Sequence, residues 1–299
     1  MAIELTFLGT SQAVPTASRN HTAVLLRYQD EMILIDCGEG TQRQFRKARI
    51  NPCKLTRILI THWHGDHILG LPGLLQTLVL NNYNKTLQIY GPPGTQRFLE
   101  TLLKMFIFVG DIKIKIQEVR EGIFYANNNF ILEAHNLEHT CPCLGYIFKE
   151  TDKRKINLVA VKKLGLKPGP ELGKLQSGQS INHEGRLIKP EEVSFVKQGK
   201  KIAFVFDTAI CKSCEKTAKD ADLLICEATY LNELKDKAAE YKHMTSVQAA
   251  TLAKKSKVKK LFLTHISQRY EHESEKILKE AKKIFKNSFL AEDLMKVEL

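Results

Sequence analysis

The chain has 299 residues, 43% of them hydrophobic and 26% charged, a globular composition with length enough for a sizeable core. No stretch approaches the roughly 18 apolar residues of a membrane span. The opening "MAIELTFLGT" lacks the basic and apolar regions of a signal peptide, so a soluble, cytoplasmic protein is expected. Lys and Arg outnumber Asp and Glu 45 to 33, a formal charge of +12 that points to a polyanionic partner.

In chain order, residues 3–8, 22–28 and 31–36 read as strands, the last two joined by a hairpin turn at "YQDE". "RILIT" (57–61) is a short β-branched strand. Helical spacing over 68–82 follows, with Gly70 and Pro72 near its start. A strand at 87–91 and a helix at 94–106 come next, then strands at 113–119, 130–136 and 144–150. Further on, 201–207, 222–228 and 260–265 are short apolar strands, with helices expected at 245–256 and 271–286. Segment 151–196 breaks this rhythm. It is rich in Gly and Pro, chemistry that favours turns over a packed element, and Lys153 to Lys174 holds seven Lys/Arg and one acid, Glu171.

"THWHGDH" (61–67) carries the chemistry. His62 and His64 follow a strand and lie two residues apart, so an extended backbone points both the same way. Asp66 and His67 then come round a turn that Gly65 permits. Imidazole and carboxylate suit a borderline cation such as Zn²⁺. One loop does not close two metal sites, and three further candidates stand at other strand ends: His139, Asp207 and His265. Five histidines and two aspartates suffice for two metals bridged by a carboxylate. Seven cysteines at irregular spacing are expected to be reduced. The pairs Cys141/Cys143 and Cys211/Cys214 leave a second, structural zinc conceivable, with buried free thiols as the default.

"THWHGDH", followed in order by "HT…CLGY", "FVFDT" and "LTHIS", resembles the metallo-β-lactamase superfamily. Within it the chain resembles the short-form tRNA 3′-processing endonucleases, tRNase Z, over nearly its whole length. "FLGTSQAVPT" (7–16), Arg19–Asn20, "LIDCGEGTQRQ" (34–44) and "LPGLLQT" (71–77) fit that family, as do "EAT" at 227–229 and "HMT" at 243–245. The basic excursion at 151–196 resembles the arm, or exosite, that the family inserts, and there is no room for the long inserted domain of the mRNA-decay relatives. One departure stands out. The family's Pro-x-Lys-x-Arg-Asn loop, which bears on sensing the 3′ CCA end, reads "PTASRN", with Ala17 in place of lysine.

The resemblance implies an α/β, four-layer αβ/βα sandwich over residues 1–299 with a protruding flexible arm at 151–196. It implies two Zn²⁺ per subunit. The first is held by His62, His64, His139 and Asp207, the second by Asp66, His67, His265 and the same Asp207. Asp66 would also orient the attacking hydroxide. His243 would act as general acid at the 5′ oxygen of the departing trailer, oriented by Glu227. Precursor tRNA would be the substrate, contacted by Lys162, Lys163 and Lys167 of the arm and by Arg19 and Asn20, and the enzyme would be a homodimer. Two other readings are open at this level. One is a different superfamily hydrolase, acting on a thioester, lactam or small phosphodiester. The other is a nucleic-acid-binding module whose metals are structural.

Overall fold

The structure is a computed structural model that describes residues 2–107 and 110–299. The strands are β1 (Glu4–Gly9), β2 (Ala23–Tyr28), β3 (Glu31–Ile35), β4 (Arg57–Leu59), β5 (Thr86–Gly91), β6 (Lys113–Glu118), β7 (Gly122–Ala126), β8 (Phe130–Leu137), β9 (Cys143–Glu150), β10 (Lys153–Ile156), β11 (Ile181–His183), β12 (Arg186–Ile188), β13 (Ser194–Lys197), β14 (Lys201–Val205), β15 (Leu223–Glu227), β16 (Lys260–Thr264), β17 (Ser288–Leu290) and β18 (Lys296–Glu298). The helices are α1 (Thr41–Lys47), α2 (Gly65–Ile68), α3 (Leu71–Leu80), α4 (Thr95–Lys104), α5 (Leu158–Lys163), α6 (Pro170–Gln176), α7 (Pro190–Val193), α8 (Lys212–Ala218), α9 (Lys235–Glu240), α10 (Ser246–Lys255) and α11 (Glu275–Ile284).

The chain divides into two compact units. One comprises the residues up to Tyr125, Leu132–Phe148 and Lys201–Leu299; the other comprises Ala126–Ile131 and Lys149–Lys200. The first unit is built on two seven-stranded sheets, ordered β18-β1-β2-β3-β4-β5-β6 and β17-β16-β15-β14-β9-β8-β7. From β3 to β6, and from β14 to β17, neighbours pair in parallel. Parallel strands covered on both faces read as continuous apolar runs, which is why "KIAFVF" and "DLLIC" show no alternation. Phe7 of β1 stacks on Phe262 of β16 at 5.6 Å, and the Tyr146 hydroxyl donates to the Ile60 carbonyl at 2.7 Å, so the sheets meet face to face. The opposite faces carry helices. Leu25, Leu34 and Ile58 pack with Phe45, Leu74 and Leu78 of α1 and α3. Val205, Leu224 and Leu263 pack with Ala218, Ala250 and Ile277 of α8, α10 and α11. This is the expected four-layer order.

The second unit corrects the reading of 151–196 as turns. It has a core of its own, built from Val161, Leu166, Leu175, Ile181, Ile188 and Val193. Strand β10 pairs antiparallel with β13, and β11 with β12. Asn157 caps α5, its side chain accepting from Val159 and Ala160 N–H. The Gly/Pro content is used at element ends: Pro170 and Pro190 open helices, and Gly165, Gly178 and Gly185 take left-handed φ of 69°, 88° and 80°. Lys162, Lys163 and Lys167 are exposed on this unit.

Candidate metal centre

The site lies past the carboxyl ends of the parallel strands, where ligands collect in open α/β sheets. His62 and His64 follow β4, Asp207 follows β14, Glu227 ends β15, His265 follows β16, and His139 follows β8. His62 and His64 project together from extended backbone, ring centroids 4.6 Å apart, with His64 at φ −74°, ψ 151°. The next step departs from expectation. Gly65 takes no left-handed φ; it begins the one-turn helix α2, and this turn brings Asp66 and His67 round. Gly38 matters more, because a Cβ there would meet the Asp66 carbonyl oxygen at 2.3 Å. Four non-glycine residues at the site, Ala13, Asp36, Asp207 and His265, hold positive φ (32°, 57°, 36° and 59°), a conformation that costs on the order of 1–3 kcal/mol each and concentrates at functional sites.

Two ligand groups form around Asp207: His62, His64, His139 and Asp207, and Asp66, His67, Asp207 and His265. In the first, His62 Nε2 lies 3.6 Å and His139 Nε2 3.9 Å from Asp207 Oδ2, and His64 Nδ1 is 3.2 Å from His139 Nε2. In the second, Asp207 Oδ1 is 3.3 Å from His67 Nε2 and 3.1 Å from His265 Nε2. Asp66 Oδ2 is 3.5 and 3.4 Å from the same two nitrogens. A tetrahedron with metal–ligand bonds of about 2.0–2.1 Å has edges of about 3.3–3.4 Å, so the donors stand at cation-binding spacing. Two buried atoms, His62 Nε2 and Asp207 Oδ1, have no hydrogen-bond partner, as atoms reserved for a cation would be.

The other ring nitrogens are all occupied, which fixes the tautomers. Asp36, fully buried, receives His67 Nδ1–H at 2.6 Å and the Thr61 amide and hydroxyl at 2.7 Å each. Because the Thr61 hydroxyl donates to Asp36, it accepts from His62 Nδ1 at 3.0 Å. The Thr229 hydroxyl likewise donates to Glu227 at 2.7 Å and accepts from His265 Nδ1 at 3.1 Å. His139 Nδ1 donates to the Lys242 carbonyl at 3.2 Å. Each bond leaves an Nε2 lone pair facing inward, the outer-shell arrangement of metal-binding imidazoles. Burial opposes ionisation of Asp66 and Asp207, but the surrounding imidazoles override it and hold both carboxyls well below the usual range. Burial and the neighbouring His67 keep His62 neutral.

Glu227 and His243 form a third feature. Glu227 is fully buried and accepts from the Thr208 amide (2.6 Å), the Met244 amide (3.0 Å), Thr229 and His243 Nδ1 (3.2 Å). With both oxygens engaged it has no capacity left for a cation. Burial would lower the His243 pKa; the Glu227 carboxylate outweighs it and raises the imidazole to about 9. The His243 ring lies 5.3 Å from that of His139 and 5.5 Å from that of His265, so a protonated donor stands over both ligand groups.

Arg19 and Asn20, expected at the substrate, both have partners within the fold. Arg19 is buried, its guanidinium donating at 2.7 Å to both the Thr10 hydroxyl and the Ala291 carbonyl; it braces the 10–20 loop from within. Asn20 donates to the Glu39 carbonyl at 2.7 Å, tying the same loop to the turn before α1. Asp293 completes the bracing, accepting from Thr10, the Asn20 amide and Gln44 at 2.7–2.8 Å. The loop reaches the centre at Ala13, whose N–H donates to Asp66 at 3.0 Å, while Ala17 is exposed. Beside His64 a pocket of about 340 Å³ is walled by Trp63, Pro92, Arg97, Phe98 and Cys141. Neither cysteine pair joins a ligand group among the described residues.

The model for the anti-Pycsar protein Apyc1 matches residues 3–112. Over the full chain, ribonuclease Z of Methanothermobacter thermautotrophicus is 44% identical, covering 99% of this chain and 97% of its own. Ribonuclease BN of an Enterobacter species is 40% identical, covering 99% of each. The crystal structure of human tRNase Z, short form, superposes with a TM-score of 0.72 at 30% identity, covering 98% of both chains. The metallo-β-lactamase fold protein YhfI of Bacillus subtilis, at 20% identity and a TM-score of 0.71, shares the fold.

Proposed function

The chain belongs to the ribonuclease Z family, and on that premise we propose that it is a zinc-dependent endoribonuclease that removes the 3′ trailer from precursor tRNA. The products are a tRNA 3′ hydroxyl and a trailer 5′ phosphate. The observation that carries the reading is the shared Asp207 between two imidazole groups, with a protonated His243 beside them.

His62, His64, His139 and Asp207 would hold one Zn²⁺, and Asp66, His67, His265 and Asp207 the second. When bound, the pair supplies an acidified water at neutral pH and offsets charge on the scissile phosphate. Asp66 positions the nucleophile, its Oδ2 itself oriented by Ala13 N–H. His243 donates the proton to the leaving oxygen, and Glu227 keeps it charged and aimed. That oxygen is the tRNA 3′ oxygen and not the trailer 5′ oxygen expected from the sequence, because the phosphate stays with the trailer and the bond that breaks is P–O3′. The Trp63–Phe98 pocket offers aromatic faces on which a base next to the cut would stack. The exposed lysines of the second unit bind phosphates of the tRNA body. The enzyme acts in the cytoplasm as a homodimer, in keeping with the family resemblance; among the described residues no helix is long and apolar enough to cross a membrane.

The test is incubation of the zinc-loaded protein with a trailer-bearing precursor tRNA, with both new ends mapped. A cut at the trailer junction that disappears on chelation, with tRNA binding retained, supports the reading. A 2′,3′-cyclic phosphate, or cleavage that survives chelation, rules it out. The same assay separates an enzyme from a binding module with structural metals.

A further inference from the structure

Cys211 and Cys214 lie where the chain passes from β14 into α8, inside a β–α–β unit, since β14 and β15 pair in parallel. Their sulfurs are 3.4 Å apart, and the turn is closed by Cys214 N–H donating to the Cys211 carbonyl at 3.1 Å. The two thiols are unlike. Cys211 is half-buried and reachable from solvent, whereas Cys214 is buried, its sulfur 3.8 Å from the Ala209 carbonyl oxygen. The hydrogen bond from the Cys214 thiol lowers Cys211 to about 6 and raises Cys214 in turn. The other cysteines show the opposite: burial pushes up Cys37, Cys53, Cys141, Cys143 and Cys226. Two sulfurs without imidazole or carboxylate partners make no metal site, but an accessible thiol over a buried resolving thiol is the arrangement of dithiol–disulfide exchange.

We propose that Cys211 and Cys214 form a redox-active dithiol that exchanges with low-molecular-weight disulfides, at a site separate from the metal centre. The Cys211 thiolate attacks one sulfur of a disulfide RS–SR. The reagent S–S bond breaks, RS⁻ leaves, and Cys211 carries a mixed disulfide. The Cys214 thiol then gives up its proton and attacks Cys211 Sγ, and the second RS group departs as RSH with that proton. The protein pair is oxidised by two electrons and one disulfide is reduced to two thiols.

The full-length, zinc-loaded protein is equilibrated anaerobically with oxidised glutathione, quenched in acid, alkylated and mapped by mass spectrometry. The wild type should lose two of its seven thiols, with one disulfide linking 211 to 214. Cys214→Ser should instead accumulate a glutathione adduct at Cys211, and Cys211→Ser should leave Cys214 unreacted. Should Cys214→Ser fail to fold, the wild type decides alone through its iodoacetamide kinetics at neutral pH. There Cys211 should be modified roughly 4-fold or more faster than the half-buried Cys53, the larger thiolate fraction outweighing its lower nucleophilicity. Retention of all seven thiols, a disulfide mapped elsewhere, no adduct at Cys211 in a folded Cys214→Ser, or equal alkylation of Cys211 and Cys53 would overturn the proposal.

Discussion

Asp36 belongs to neither ligand group, yet it holds His67 directly and His62 through Thr61, and Asp36→Asn isolates that role. Asparagine keeps the shape and tolerates the positive φ of 57° at this position, so the backbone has no reason to move. Its amide presents one oxygen and one NH₂ where the carboxylate presents two acceptors. Placed toward His67, the NH₂ confronts Nδ1–H, and relief requires the ring proton to move to Nε2, which removes the lone pair aimed at Asp66 and Asp207. Flipped, the NH₂ confronts the buried Thr61 N–H, leaving donors unpaired at about 1–3 kcal/mol. Loss of such an outer partner typically weakens metal binding 10–100-fold, about 1.4–2.7 kcal/mol. Because a ligand stabilises the fold by RT ln(1 + [L]/Kd), the zinc-induced gain in unfolding free energy should shrink by the same amount at saturating zinc. Competition with a chelating dye should show the equivalent held by His67 weakened more than the one held by His62, because Asp36 bonds His67 directly and reaches His62 only through Thr61. If the asparagine variant binds two equivalents at wild-type affinity and gains the same stability from zinc, Asp36 does not fix the histidines and the reasoning fails.

Three further outcomes are expected. His243→Ala should slow precursor cleavage by roughly 10²–10⁴-fold with zinc content unchanged, and should affect a nitrophenyl phosphodiester far less because its leaving group needs no proton; equal losses on both substrates would mean a structural role. Asp293 is raised to about 6 by burial, against the donors around it. A carboxyl raised in the fold takes up protons there before the unfolded chain does, so its contribution to stability falls as pH rises from about 4 to about 6. Asp293→Asn removes that slope: between about pH 4.5 and pH 7 the variant should gain about 2 kcal/mol relative to wild type in denaturant titrations, and a constant difference would contradict the assignment. Neutralising Lys162, Lys163 and Lys167 together should reduce the slope of log binding constant against log salt by up to about 3 and leave small-phosphodiester hydrolysis intact; an unchanged slope would remove these lysines from the tRNA interface.

The two His/Asp groups were readable because Asp207 and His265 stand at the ends of buried strands whose apolar runs are continuous, and because four of the seven residues are packed into six positions; His139 instead follows the alternating β8. The parallel strands were readable from the same continuous runs. The outer partners were not. Asp36 is a single acid at the end of β3, 31 residues from the histidine it orients, and Thr61 and Thr229 look like any strand-end threonine. Strands β17 and β18 have three residues each and leave no pattern to find. In the second unit the core residues stand one at a time among lysines and glycines, with neither a 2.0 nor a 3.6 period, so that only tertiary packing reveals them. Arg19 misled in the other direction: a basic residue in a substrate-side loop reads as a phosphate contact, but its partners at Thr10 and Ala291 are inside.

The pairing of β1 with β18, and the grip of Asp293 on Thr10 and Asn20, impose an order of events on the growing chain. The loop that aims Asp66 is among the first segments made, yet the carboxylate that fastens it lies 283 residues after Thr10. At synthesis rates of about 5–20 residues per second, the loop waits roughly a quarter of a minute to a minute for its anchor. The group of His62, His64, His139 and Asp207 is complete 86 residues before Asp293 is made, while the backbone donor to Asp66 is still unsecured. Assembly of that candidate ligand group and fastening of the loop therefore belong to different moments of the protein's life, the second beginning only when residues 291–299 have docked.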